Sequence, residues 1–390
     1  DFLAGALVGP LAVALHAGIK GLELAAVSSG GREKAEAKLA EAGIQAPVLE
    51  NGELAAAAEE ERFLGIKFAN GQLPRQAIAF CLKQAGLDVR DLDAVVFAGA
   101  TYERFEEILE GYFDFQFGHA PPVFLADHHT AHAASAFYGS GWEQGLAVTM
   151  DFSGDRKSTT VQAGHDLKLE PLEEIHKPNS LGIFYSAITQ FLGFQRDSDE
   201  YKVMGMAAYG QPRIDLSGIL AVTESGYELD PTYVRGITPD QPSPSKQERL
   251  FADLPLPFEP RVPGAPITQD HYDVAASAQR QLEEAVVSLV EHHLAASGMQ
   301  QLCLAGGVAL NCLLNQRLRE SDLVQALYVP PVCSDAGLAL MDQVIEMIYH
   351  SKNVEEIFCD RVSPFASECI NKMTCNWLLI SLVFNISNTT

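Results

Sequence analysis

Short apolar runs, each closed by glycine or a small polar turn and followed by a helical pattern, constrain this chain more than any other feature. Asp93 to Ala98 reads D-A-V-V-F-A and Gly145 to Met150 reads G-L-A-V-T-M; Leu302 to Ala305 precedes two glycines and a helical run. Runs of four to six residues suit buried strands and are too short for buried helices. Pro74 opens a helix that reaches about Ala85 and is stopped by Gly86. Thr268 is placed to cap a long helix running to Ser297 and closed by Gly298. Strands alternating with helices predict α/β layers. Gly52 to Phe63 reads as a strand, although its Ala and Glu content suits a helix as well. The Pro-rich stretch from Thr238 to Pro266 reads as an irregular excursion over the surface.

The two ends differ in character. Leu22 to Val27 is strand-like, Ser28 to Gly31 is a turn, and Arg32 to Ala42 is a helical pattern ended by Gly43. That order weakly resembles haloacid-dehalogenase-type phosphatases, but no Asp-x-Asp pair accompanies it, so an ordinary βα unit is the simpler reading. After about Met341 three cysteines and scattered charges follow no period, and two matches to the glycosylation sequon close the chain. The expected division is therefore residues 1–47, a dense central stretch over 48–340, and a tail over 341–390.

Composition narrows the class. A chain of 390 residues, 47% hydrophobic and 20% charged, is that of a soluble α/β enzyme with room for two lobes. A net charge of −24 repels phosphate backbones, which argues against nucleic acid as a partner. No apolar run reaches the roughly 18 residues of a spanning helix, so no membrane partner is expected. Seven cysteines without a C-x-x-C pair read as a reduced, cytoplasmic chain. Because the first residue is Asp1, the true start is expected to be missing or the chain to be a fragment.

Chemistry-bearing residues concentrate in four places. Asp127-His-His-Thr-Ala-His132 runs into helix-favouring Ala-Ala-Ser-Ala-Phe, which sets His128 and His132 four apart on one helix face, a bite suited to one metal ion. His129 then points elsewhere; a histidine cluster without a ligand is the alternative. Asp151 ends a buried strand before Phe-Ser-Gly, a place where α/β enzymes hold cations or phosphates, or simply a polar strand end. Gly306-Gly307, between strand and helix and four residues before Asn311, lets a ligand approach the backbone, though a lone glycine pair is weak evidence. Downstream, Asp335 follows the strand-like Ala326 to Val329 and would also serve as a helix cap. Glu200, Tyr201, Lys202 and Tyr209, packed among small residues, suit a polar substrate pocket or a solvated helix equally.

Taken in order, Ala58-Glu-Glu-Glu-Arg-Phe63, Asp127-His-His-Thr-Ala-His132, Asn179-Ser-Leu-Gly-Ile-Phe-Tyr-Ser186, Glu200-Tyr-Lys-Val-Met-Gly205, Ala305-Gly-Gly-Val-Ala-Leu-Asn311 and Ser334-Asp-Ala-Gly337 resemble the O-carbamoyltransferases. That family includes the nodulation carbamoyltransferase and enzymes that carbamoylate antibiotics such as tobramycin and cephamycin. The resemblance implies an actin-like, sugar-kinase-like two-lobed fold, shared with threonylcarbamoyl-tRNA transferases, with lobes over about 48–165 and 166–340. It implies a biosynthetic activity: carbamoyl-adenylate, made from carbamoyl phosphate and ATP by a further domain, gives its carbamoyl group to the hydroxyl of a small-molecule acceptor. By the same resemblance His128, His132 and Asp335 bind a divalent metal, iron in the family, with Asp151 a further ligand or close neighbour. Gly306, Gly307 and Asn311 lie against the nucleotide, Lys67 stands with Asp151 near the transferred group, and Glu200 and Lys202 belong to the substrate site.

Two departures accompany the match. Members open with a first strand ending in a His-Asp-Ser/Ala-Ala segment, whereas the residues before Asn51 here are Gly43-Ile-Gln-Ala-Pro-Val-Leu-Glu50. The first strand is therefore expected to be replaced, with Gly52 to Phe63 still paired in the sheet and residues 1–47 a separate βα appendage. The tail after about Leu340 is too short for an adenylate-forming domain, so the chain is expected to be catalytically incomplete by itself. A threonylcarbamoyl-tRNA transferase relative and a non-catalytic metal- or nucleotide-binding remnant stand as alternatives.

Overall fold

The computed structural model describes residues 57–340, except 67–68, 70–72, 86, 93, 167, 236, 238–247 and 252, together with 27–28, 48–49 and 377–379. The expected helix from Arg32 to Ala42 lies outside the described residues, as does Lys67. The chain divides into two units, Asp1–Gly141 with Pro330–Asn385, and Trp142–Val329 with Ile386–Thr390.

In the first unit, β1 (Val27–Ser28) and β2 (Val48–Leu49) pair in parallel as a two-stranded sheet. Helix α1 (Glu60–Leu64) follows, closed by Gly65 in the left-handed conformation at φ 67°. Its place corrects the strand reading over residues 57–63: residues 60–63 are helical and Ala57 to Glu59 form no strand, while residues 52–56 lie outside the described residues. Glu60, Glu61 and Arg62 are good helix formers and the helix holds no β-branched residue, so local propensity permits it. Glu60 is buried because its carboxylate accepts the backbone N–H groups of Gln76 (3.2 Å) and Ala77 (2.7 Å). These belong to α2 (Arg75–Ala85), whose unpaired first-turn donors and positive dipole end favour a carboxylate.

Strand β3 (Ala94–Ala98) leads through α3 (Phe105–Phe117) to β4 (Val123–Ala126), which runs straight into α4 (His128–Phe137). The strands β3 and β4 are parallel, and a last strand, here β12 (Trp377–Leu379), lies parallel on the other side of β3. Val95, Phe113, Ile78 and Leu82 pack on one flank of β3, while Phe97 meets Phe105 and Leu109. Burying each large apolar side chain stabilises by roughly 1.5–3 kcal/mol.

The second unit is built on a five-stranded mixed sheet. Strands β5 (Gln144–Gly154), β6 (Lys157–His165) and β7 (Lys168–His176) form an antiparallel meander. Between β5 and β6, Asp155 and Arg156 both take positive φ, 48° and 69°, which gives a tight turn the twist of the flanking strands. Helices α5 (Leu181–Phe191) and α6 (Glu200–Ala207) and the hairpin β8 (Leu220–Thr223)–β9 (Gly226–Leu229) follow. Helix α7 (Gln269–Ser297) begins at Thr268, whose N–H and hydroxyl meet the His271 ring, and stops at Gly298, φ 70°, as the sequence predicts. Strand β10 (Gln301–Ala305) adds parallel to β5; α8 (Cys312–Arg319) and β11 (Ala326–Tyr328) complete the order β11-β10-β5-β6-β7. The fold is mixed α/β. Its centre is β5, where Leu146, Ala147 and Met150 are fully buried. The edge strand β7 carries Lys168, Glu170, Glu173 and Glu174, charges that discourage pairing with another chain. The described part of Thr238 to Pro266 contains no helix or strand beyond one isolated bridge at Phe251. Arg261 holds it, donating to the carbonyls of Leu192, Gly193 and Ala265. Among the described residues no helix is long and apolar enough to cross a membrane.

Candidate metal centre

Strand β4 ends at Ala126, and Asp127 takes extended backbone geometry before the helix. Its carboxylate accepts the Thr130 N–H at 2.8 Å and the Thr130 hydroxyl at 3.0 Å, a side-chain cap that fixes where α4 starts. That start puts His128 in the first turn and His132 one turn later on the same face. Their rings lie 4.7 Å apart at 78°, both buried. Asp335 opens a short 3-10 helix, Asp335–Leu340, in the same unit. Its Oδ1 lies 3.2 Å from His132 Nε2 and 3.5 Å from His128 Nε2. His129 is fully buried, its ring 5.5 Å from that of His128 and 6.3 Å from that of His132.

The donor set fits one small cation. An ion about 2.0–2.2 Å from each nitrogen or oxygen, with tetrahedral angles, separates its ligands by roughly 3.4 Å. Two Nε2 atoms converging on a single carboxylate oxygen at 3.2 and 3.5 Å match that spacing. A plain hydrogen bond explains only the shorter of the two, because donors beyond about 3.2 Å contribute little. Two imidazoles and a carboxylate suit iron, zinc or manganese.

Asp151 lies in the second unit, in the last residues of β5. Its Oδ1 accepts the Phe152 N–H at 2.7 Å, and its main-chain carbonyl accepts the Ser180 hydroxyl at 3.0 Å. The glycine turn packs directly on it. Gly306 has φ 90°, and a Cβ there would collide with the Met150 carbonyl; a Cβ on Gly307 would come within 3.0 Å of Asp151 Oδ1. Gly306 is thus required for close approach to the end of β5, and Gly307 sits tight against the Asp151 carboxylate. Asn311 caps α8 by accepting the Leu314 N–H at 3.0 Å.

Glu200 and Lys202 lie two residues apart on α6 but in different surroundings. Glu200 is half-buried and accepts the Asp197 N–H (2.6 Å) and the Ser186 hydroxyl (2.9 Å). Burial, reinforced by the charge of Asp197, raises its carboxyl above the usual carboxylate range. Lys202 is partly exposed and paired with Asp199 at 2.8 Å, which raises its ammonium above its ordinary value. Tyr201 and Tyr209 are largely exposed. In the sequence Ser180 and Ser186 stand only as parts of the Asn179 to Ser186 segment, without roles of their own. Ser180 carries a usable signal, a serine directly before an apolar helical run, whereas Ser186 meets Glu200 only through the packing of α5 on α6.

Residues 114–341 match the family model described as "Carbamoyltransferase N-terminus". The chain belongs to the carbamoyltransferase N-terminal family. His128, His132, Asp151, Glu200, Lys202, Gly306, Gly307, Asn311 and Asp335 all fall inside the stretch that carries this family's pattern, and Lys67 falls before it. The chain is 36% identical over 317 residues to nodulation protein NolNO of Sinorhizobium fredii, covering 76% of this chain and 45% of that one. It is 39% identical over 214 residues to nodulation protein NolO of Bradyrhizobium diazoefficiens, covering 55% and 37%. This carbamoyltransferase-family chain spans about half the length, or less, of such curated relatives. Among solved structures, the ADPNP-bound activator of the 2-hydroxyisocaproyl-CoA dehydratase from Clostridium difficile aligns at 15% identity and TM-score 0.42, covering 81% of this chain and 93% of that one.

Proposed function

We propose that this chain carries the transfer half of an O-carbamoylation in the cytoplasm, moving a carbamoyl group from carbamoyl-adenylate to the hydroxyl of a small-molecule acceptor on an actin-like scaffold. The observation that carries the reading is the convergence of His128 Nε2 and His132 Nε2 on Asp335 Oδ1 within the family's own matched stretch. In the reaction the acceptor oxygen bonds to the carbamoyl carbon, the bond from that carbon to the phosphate oxygen breaks, and AMP leaves. The hydroxyl proton passes to a base.

His128, His132 and Asp335 would hold a divalent ion, Fe2+ by family resemblance, with Asp151 added as a further ligand by the same resemblance. Bound there, the ion would supply Lewis-acid polarisation of a carbonyl or phosphoryl oxygen. The other roles belong to the chain itself. Gly306 and Gly307 keep side chains away from the end of β5, leaving backbone for a nucleotide to approach. Lys67 and Asp151 are assigned to the reacting group by the family pattern. Glu200, held by Ser186 and the Asp197 N–H, offers a carboxyl set before any acceptor arrives, and the partly exposed Lys202 offers a cation close to it in sequence. A pre-set group loses less freedom on binding than a mobile one.

The test supplies carbamoyl-adenylate with an aminoglycoside or chitooligosaccharide acceptor to protein purified without a nickel-binding tag. Transfer is expected, together with at least about half an equivalent of a tightly held transition metal. His128→Ala and His132→Ala are each expected to lower metal retention by about 10–100-fold or more. Transfer that is indifferent to both substitutions would sink the metal assignment.

A further inference from the structure

The Gly306–Asn311 turn is tied to the middle of α7 by a pair of amides. Gln279 Nε2 donates to Asn311 Oδ1 at 2.9 Å, and Asn311 Nδ2 donates back to Gln279 Oε1 at 2.9 Å. Each amide is oriented by a group outside the pair. Gln279 Nε2 also donates to Glu283 Oε1 (2.7 Å), so its nitrogen faces as described; Asn311 Oδ1 also accepts the Leu314 N–H (3.0 Å), so its oxygen does too. Tyr185, from α5, donates its hydroxyl to Gln279 Oε1 at 2.9 Å. Tyr185, Gln279 and Asn311 are all buried.

Capacity can be counted atom by atom. Gln279 has two N–H donors and two acceptor sites, all four taken. Asn311 has both acceptor sites taken and one of its two N–H donors. An amide so committed cannot turn toward a ligand without breaking a buried bond, which costs the full desolvation of the group left behind. The same pair fixes the turn, because Asn311 is its last residue and the cap of α8. At the other end Gly306 is seated against the Met150 carbonyl. The turn is therefore held from both sides.

We propose that Gln279 is a positioning residue for the Gly306–Asn311 turn, acting through the paired amides so that the turn meets a nucleotide already in shape. This rests on the nucleotide-side reading of the turn given above. Asn311 then contributes by holding the turn, and Gln279, a glutamine inside a 29-residue helix, contributes to affinity without touching the ligand.

The test is calorimetric titration of the full chain with AMP and with ATP, beside thermal melts. Gln279→Ala and Asn311→Ala are each expected to weaken AMP binding about tenfold, through loss of the preset turn. The double variant is expected within about twofold of either single one, since two residues acting as one unit are not additive. Tyr185→Phe removes only the hydroxyl that holds the Gln279 carbonyl. It gives a second, milder probe if Gln279→Ala does not fold, with affinity expected to fall about threefold. Unchanged AMP affinity in Gln279→Ala, or in Tyr185→Phe where that variant stands in, overturns the proposal. So does a double variant whose loss is the product of the single losses. A parent chain that binds neither nucleotide overturns the nucleotide reading and this one together; a parent that binds while Gln279→Ala is silent overturns only this one.

Discussion

The hydroxyl of Ser180 lies 3.0 Å from the carbonyl oxygen of Asp151, and the same hydroxyl is 2.9 Å from the carbonyl of Phe152. Its oxygen in turn accepts the Ile183 N–H at 3.1 Å, capping α5. One buried side chain thus ties a helix start to the strand end that presents Asp151. Ser180→Ala is expected to cost about 1–2 kcal/mol, the range of a lost cap together with buried carbonyls left short of a donor. Urea denaturation measures it; a loss under about 0.3 kcal/mol would remove the cap argument.

Gly182, two residues on, makes a sharper case. A Cβ there would lie 2.6 Å from the Phe152 N and Cα, both backbone atoms that cannot swing aside. Gly182→Ala is expected to destabilise by roughly 2–3 kcal/mol through overpacking. Gly205, inside α6, has nothing within 4 Å of its would-be Cβ, so Gly205→Ala is expected to stabilise by about 0.4–1 kcal/mol. The pair of melts checks both signs at once. Lost carbamoyl transfer in a stabilised Gly205→Ala variant would mean that a ligand approaches the α6 backbone.

Glu200 gives a pH signature. Its folded-state carboxyl is raised above the reference value of 4.5, with burial as the main cause. A raised carboxyl binds its proton more tightly in the folded chain than in the unfolded one. Its contribution is therefore fully present below the unfolded value and is lost as pH rises through the folded value. Glu200→Gln, which cannot ionise, should gain stability relative to the parent as pH climbs from about 4.5 toward neutrality. Unfolding midpoints measured across that range test the sign, and parallel profiles for the two proteins would refute it.

Asp335 is the third arm of the metal reading. Ligand held by the folded chain alone stabilises it, by about 2.7 kcal/mol at a hundredfold excess over Kd. Chelator treatment is expected to lower the parent melting temperature by several degrees. Asp335→Asn keeps the size of the side chain and loses its charge, and should melt at the same temperature with and without chelator. A parent that ignores the chelator counts against a bound ion.

The elements that the sequence disclosed were those with local causes. Thr268 and Gly298 bracket α7 through cap chemistry, and the apolar runs at Ala94 to Ala98 and Gln301 to Ala305 are strands because they are short and buried. His128 and His132 share a face because Asp127 fixes the helix start. Where two local readings competed, at Glu60 to Phe63, the helix won, and the deciding partners, the N–H groups of Gln76 and Ala77, lie more than a dozen residues away. Asp335 as partner of the histidines came from family resemblance, since no local rule joins it to His132. Gln279 was invisible. Inside a long helix a glutamine reads as solvent-facing, and its partner Asn311 is 32 residues distant.

His132 and Asp335 stand 203 positions apart in the chain. At roughly 5–20 residues per second on the ribosome, about 10–40 s of synthesis separate the histidine pair from its carboxylate. The whole stretch Trp142–Val329 is made in that interval, and it is one uninterrupted length of chain. It can close on itself while the first unit still waits for Pro330 onward. Until Asp335 has been added, the growing chain carries the histidine pair without its carboxylate partner.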